Sequence, residues 1–300
     1  MKIEETIEPF VNYISTERRL SARTVTIYFD ALKQFIAFLS EQKIEDIEDV
    51  LAAEVRQWQM TQMERQLAPA TIKQSLAAIG SWFRFLRRQK WISTDVMAKI
   101  VPPKQAVRLP VFFREQEVEP IYTNDELFPD TFQGKRDRLI LRVFYETGMR
   151  RAELLGLKES SVDFYNSSVK VLGKRDKERI IPIENSLLHN IKEYLALKKE
   201  IEGCSDSLFV NSKGKPMTAS QVYKVVKKYM VPLSKADKVS PHVFRHSFAT
   251  HLLNEGAELE AIKELMGHAN VGVTEIYTHV TREHLREAYI HAHPRAKKKD

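Results

Sequence analysis

"VSPHVFRHSFATHLL", residues 239–253, carries the signals for a helix start and a charge pattern that a helix start ordinarily avoids. Ser240 is a candidate N-cap. Pro241 fits the first helical position, where its missing N–H costs nothing, and Gly256 lies just past the expected end. On a helical wheel Phe244, Phe248 and Leu252 share one face, which must meet a core. His242 and Arg245, three residues apart, lie together on the adjoining face. The macrodipole makes a helix entrance unfavourable for cations, so such a pair makes sense when an anion offsets the repulsion. Free backbone N–H groups attract a phosphate there, and a guanidinium can grip it with two parallel bonds. Taken alone, the segment is equally compatible with a structural histidine beside a surface arginine.

The next stretch, "EAIKELMGHANVGVTEIYTHV" (260–280), ends a helix at Gly267, puts His268 on the following turn and carries Tyr277 on a short helical piece. A tyrosine here either packs or acts as a nucleophile. A phenol with an ordinary pKa near 10 needs cations or a base to stabilise its phenolate as it forms. His242, Arg245 and His268 could supply that environment. Zinc is the rival explanation, since His242 and His246 stand at i, i+4. The intervening Val-Phe-Arg has no glutamate, however, and its arginine would repel a dication, so no metal is expected. A Ser-His-Asp arrangement is weaker still, because no G-x-S-x-G turn occurs.

Upstream of this segment the chain is mixed. "RDRLILRVFYETG" (136–148) reads as a helix capped by Gly148, with a fresh helix through "AELLGL" (152–157). "SSVKVLGKRDKERIIPI" (167–183) reads as two strands, Val169 to Leu172 and Glu178 to Ile183, joined by a turn carrying Gly173, Lys174, Arg175 and Asp176. Further helices are expected around "ASQVYKVVKKYM", "ELEAIKELMGH", Tyr277 and "TREHLREAYI".

The first hundred residues read as helices throughout. Ser21 is a candidate N-cap for a run in which Val25, Tyr28, Phe29, Leu32, Phe35, Ile36 and Leu39 form one stripe. A second run opening near Pro69 carries Ile72, Leu76, Ile79, Phe83 and Leu86. Arg23, Lys33, Lys73, Arg84, Arg87 and Arg88 lie on the opposite sides. Between the halves, "KIVPPKQAVRLPVFF" (99–113) has three prolines and few helix signals, as an extended linker would.

Composition narrows the function. The chain has 300 residues, 43% of them hydrophobic, which is enough for two cores; 47 Lys+Arg against 40 Asp+Glu gives a net charge of +7 and favours an anionic partner, nucleic acid before membrane. The start, "MKIEETIEPF", carries acids where a signal peptide needs an apolar run, and no stretch reaches the roughly 20 apolar residues of a membrane span, so a cytoplasmic protein is expected. A single cysteine, Cys204, excludes an internal disulfide and a cysteine-rich zinc module.

Taken in order, "TGMRRAELLGL", "VLGKRDKER", "HVFRH", "LMGH" and "YTHV" resemble the tyrosine recombinase (phage integrase) family, and within it the Xer recombinases. "LSARTVTIYFDALKQFIAFL" looks like that family's core-binding domain, and "HAHPRA" near the end is Xer-like. The resemblance implies a mainly α protein with a small β-sheet: an all-helical, SAM-like core-binding domain over 1–98, a linker over 99–112 and a mixed α+β catalytic domain over 113–300. It implies six catalytic positions. Arg150, His242, Arg245 and His268 surround the scissile phosphate, Lys174 is the general acid and Tyr277 the nucleophile. Met149 stands where the family usually has leucine, a volume-conserving exchange. DNA contacts are expected near Arg23, Thr24 and Lys73. The implied activity is DNA cleavage and rejoining through a 3′-phosphotyrosine, without metal, cofactor or ATP, by a homo- or hetero-tetramer on double-stranded DNA. A DNA-translocase activator is a further candidate partner. Chromosome-dimer resolution at cell division is the implied role. An integrase or invertase of a mobile element, a type IB topoisomerase-like nicking enzyme and a non-catalytic DNA-bridging relative are the alternatives. Without DNA, Tyr277 is expected to be withdrawn.

Overall fold

The structure, a computed structural model, describes residues 1–104, 111–173 and 178–267. The chain divides into two compact units, Met1–Arg108 and Leu109–Asp300.

The first unit is helical: α1 (Ile7–Asn12), α2 (Ala22–Glu41), α3 (Ala52–Glu64) and α4 (Pro69–Arg88). Ser21 caps α2, its Oγ accepting from the Thr24 amide at 3.2 Å, and Pro69 opens α4. Each removes or satisfies a backbone donor that a helix start would leave unpaired. Leu32, Phe35 and Leu39 of α2 meet Ile72, Ile79, Phe83 and Leu86 of α4 in one core with Trp58 and Trp82. Phe35 presents its ring edge-to-face to both tryptophans, at 5.7 and 6.4 Å. Phe29 departs from the expected stripe. It is 41% exposed, while Val25 and Tyr28 of the same stripe pack partly buried at the edge of the core and full burial on α2 begins at Ala31. Ile100 still packs against this core.

In the second unit Val111 and Phe113 already belong to a separate core. Two single-turn helices, α5 (Glu115–Val118) and α6 (Pro120–Thr123), lead to α7 (Phe132–Thr147) and the short α8 (Arg151–Gly156). Then come β1 (Val162–Asp163), β2 (Ser168–Leu172) and β3 (Glu178–Pro182), an antiparallel sheet in that order, with Val169 opposite Ile181 and Val171 opposite Arg179. The two expected strands are present. β1 was not foreseen, since two residues make no period. α9 (Asn185–Lys198), α10 (Ala219–Met230), α11 (Pro241–Asn254) and α12 (Leu259–Met266) complete the described chain.

α11 belongs to two cores at once. Phe244 stacks among Phe113 and Phe144 in the main core, while Phe248 and Leu252 form a smaller cluster with Ile262, Leu265 and Met266 of α12. Ser240 occupies the cap position of α11 without a side-chain bond; only its carbonyl is used, by the Val243 amide at 3.0 Å. The expected elements around Tyr277 and "TREHLREAYI" lie outside the described residues. No helix among the described residues is long and apolar enough to cross a membrane.

Candidate active site

The site begins where α7 stops. Gly148 ends that helix at φ +58°, in the left-handed region, and a Cβ there would stand 2.4 Å from the Phe248 ring. Glycine is required twice over, by backbone conformation and by the close pass of α11. Met149 then inserts fully into the core, its unbranched side chain filling the position as expected, and Arg150 lies at the start of α8. Its amide donates to Glu153 Oε2 at 2.7 Å and its Nη1 to Glu153 Oε1 at 2.8 Å.

Arg245 reaches the same place from α11. Although only 6% exposed, it has no carboxylate partner among the described residues: Nη1 donates to the Gly148 carbonyl at 2.7 Å and Nη2 to the Met266 carbonyl at 2.5 Å. Arg150 Nη2 donates to the next carbonyl, Gly267, at 3.2 Å. A third arginine, Arg179 of β3, donates its Nε to the carbonyl before these, Leu265, at 2.8 Å, and grips Glu153 with Nη1 and Nη2 at 2.9 Å each. Three consecutive carbonyls at the C-terminal end of α12, groups that a helix leaves without internal partners, are therefore each held by a different guanidinium.

The electrostatics follow from this packing. Burial pulls Arg245 down to about 10, helped by the nearby Arg150, yet it stays protonated at neutral pH. Burial would raise Glu153, but the Arg179 guanidinium and the Arg150 amide outweigh it and hold the carboxyl at about 2. Partial burial first, then Arg151, His246, Arg245 and Arg150, push the His242 imidazole below its ordinary value. At pH 7 it is neutral and can accept a proton as well as donate a hydrogen bond. A guanidinium has five N–H donors; Arg150 and Arg245 each use two nitrogens for the bonds above, leaving donors for an anion. The cluster is a net cation that keeps unspent hydrogen-bonding capacity, and this is what binding a phosphodiester requires.

α11 is anchored for this task. Phe113, where the chain enters the unit, donates its amide to Ser247 Oγ at 2.8 Å, and that hydroxyl donates to the Val243 carbonyl at 2.8 Å.

Of the six expected catalytic residues, Arg150, His242 and Arg245 come together. Lys174, His268 and Tyr277 lie outside the described residues; their described neighbours are Gly173 before Lys174, Glu178 beyond it, and Gly267 just before His268. Arg23 and Lys73 are exposed in the first turns of α2 and α4. Thr24 is committed in part to the α2 cap, its hydroxyl 2.8 Å from that of Ser21. Among the described residues no group of three or more His, Cys, Asp or Glu could hold a metal ion.

Sequence reasoning missed Glu153 and Arg179. Glu153 had a signal, an acidic residue at the third position of a helix opening on Arg150, where it can reach back to the cap amide. Arg179 had none, because it reads as one more base in a basic turn.

Residues 111–284 match the phage integrase family, and residues 7–90 match its N-terminal SAM-like domain. The chain is 34% identical over 303 residues to tyrosine recombinase XerC of Bacillus subtilis, covering 99% of each. Among solved structures it is similar to XerH recombinase bound to a palindromic difH substrate in a post-cleavage complex, at TM-score 0.73 and 24% identity over 94% of this chain and 83% of that one. It is also similar to a lambda integrase tetramer bound to a Holliday junction, at TM-score 0.69 and 20% identity over 89% and 74%.

Proposed function

Because the chain belongs to the phage integrase family, the tyrosine recombinases, we propose that it is a site-specific recombinase that cuts and rejoins DNA through a 3′-phosphotyrosine. The observation that carries this reading is the convergence of Arg150 and Arg245 on adjoining carbonyls with donors left over, beside the neutral imidazole of His242.

In this reading the Tyr277 phenol oxygen attacks phosphorus, and the bond from phosphorus to the 5′ oxygen breaks. The phenol proton leaves toward an imidazole of the His242 and His268 pair. The departing 5′ oxygen takes a proton from Lys174. Negative charge grows on the non-bridging oxygens during attack, so the fixed cations Arg150 and Arg245 stabilise the transition state more than the bound diester. The phosphotyrosine conserves the energy of the broken bond, and a 5′ hydroxyl from a second duplex reverses the step without ATP. Arg23, Thr24 and Lys73 contact DNA from the first unit, and four subunits, identical or related, act on two duplexes. The cellular role is chromosome-dimer resolution, the reading favoured by similarity to XerC along the whole chain.

The test is incubation with a nicked suicide duplex that loses the short fragment next to the cut. Wild type should form a covalent adduct that survives denaturant, and Tyr277→Phe should form none. Equal adduct in both, or none in either on any cognate site, would sink the proposal.

A further inference from the structure

We propose that Arg179 is a positioning residue of this site: it holds the Glu153 carboxylate so that Glu153 orients Arg150 without cancelling its charge. This rests on the recombinase reading above.

The geometry poses the problem that Arg179 solves. Glu153 orients Arg150 through two bonds, at 2.7 Å to the amide and 2.8 Å to Nη1. A carboxylate that close, only 6% exposed in a water-poor site, would also neutralise the guanidinium meant for a phosphate. Arg179 grips both oxygens of the same carboxylate at 2.9 Å. With Arg179 the trio carries +1 (two arginines less one glutamate); without it, zero.

Arg179 is itself unsuited to touch DNA. Its third nitrogen is held by the Leu265 carbonyl, and its side chain is 13% exposed. It also packs on the Gly267 backbone, where an added Cβ would lie 3.1 Å from Nη1. It therefore acts through its neighbours. It ties β3, the strand that follows Lys174 in sequence, to α8 under Arg150 and to the end of α12 just before His268.

The discriminating measurement is single-turnover cleavage of the suicide duplex by the full chain, with DNA affinity and thermal unfolding measured in parallel. Wild type and Tyr277→Phe come first, since failure there concerns the recombinase reading alone. Arg179→Met should then lose roughly 10²-fold in cleavage rate, the order seen when a transition-state stabiliser is weakened, with DNA affinity within about threefold. Adding Glu153→Gln restores the +1 charge, so the double variant should regain about tenfold of that loss. A purely structural role predicts the reverse, since the second change removes more bonds. Cleavage by Arg179→Met within about twofold of wild type, or a double variant no faster than the single one, overturns the proposal. If Arg179→Met does not fold, Arg179→Lys replaces it. Keeping the charge, it should cleave within about tenfold of wild type, and a lysine variant as inactive as Tyr277→Phe overturns the proposal equally.

Discussion

At the scale of single residues the site is a problem of charge held close together, and Glu153 is where that can be measured. Its carboxyl sits at about 2 in the fold against an ordinary 4.5, because Arg179 and the Arg150 amide outweigh the cost of burial. A depressed folded pKa means that the stabilisation is complete above pH 4.5 and is lost as pH falls toward 2. The difference corresponds to at most about 3 kcal/mol at neutral pH, since solvent screens part of the interaction. Glu153→Gln should therefore flatten the acid side of the stability profile between about pH 4.5 and 2. Denaturant melts of both proteins at stepped pH check this; an unchanged acid slope would mean that other carboxylates dominate. The same residue shows where sequence reading stops. Arg150, His242 and Arg245 were legible because each sits in a short motif with fixed neighbours. Glu153 carried a local signal for its bonds to Arg150, but Arg179 gains its role from a pairing with Glu153 across 26 positions, and no local pattern encodes a contact of that range.

At the scale of elements, legibility tracked the strength of local signals. α2, α4, α7 and α11 combine a 3.6-residue period with a cap, a proline start or a glycine stop, so their existence and one signalled end of each were readable, while the start of α7 lies four residues before the expected Arg136. The first turns of α2 kept the period with less burial, Val25 and Tyr28 packing at the edge of the core and Phe29 standing exposed, and the two-residue β1 carried no period at all. α12 packs, among the described residues, on a smaller apolar cluster than α7 does. Among the described residues its apolar face meets the small cluster around Phe248 and Leu252, and its end is fastened by arginines from elsewhere. A helix fixed by few apolar contacts should open more readily than one in the main core. Amide exchange should thus be faster along Leu259–Met266 than along Leu139–Phe144 of α7, every residue of which is buried. Equal protection of the two would show that the arginine clamps bind α12 as firmly as a core does. Leu265→Ala should widen the gap, since it removes apolar surface from a cluster with little to spare, at a cost of about 2–4 kcal/mol.

At the scale of the whole molecule the sequence disclosed two cores and a proline-rich connection, and the structure divides the chain into two units accordingly. Net charge is less informative: +7 spread over 300 residues is too small to gather DNA by long-range attraction alone. Affinity must come from local cations that lack internal partners. Lys2, Arg87 and Lys158 are spoken for by acidic neighbours, whereas Arg23 and Lys73 have no carboxylate partner among the described residues. If those two neutralise phosphates, each releases about 0.9 of a counterion, and log Kd should rise linearly with log salt, with each alanine substitution lowering the slope by about that amount. If they read base edges instead, Arg23→Ala and Lys73→Ala should leave the slope nearly intact and relax discrimination between cognate and scrambled sites. Titrating both variants against both duplexes at several salt concentrations separates these outcomes. A change in neither slope nor discrimination would overturn Arg23 and Lys73 as proposed DNA contacts.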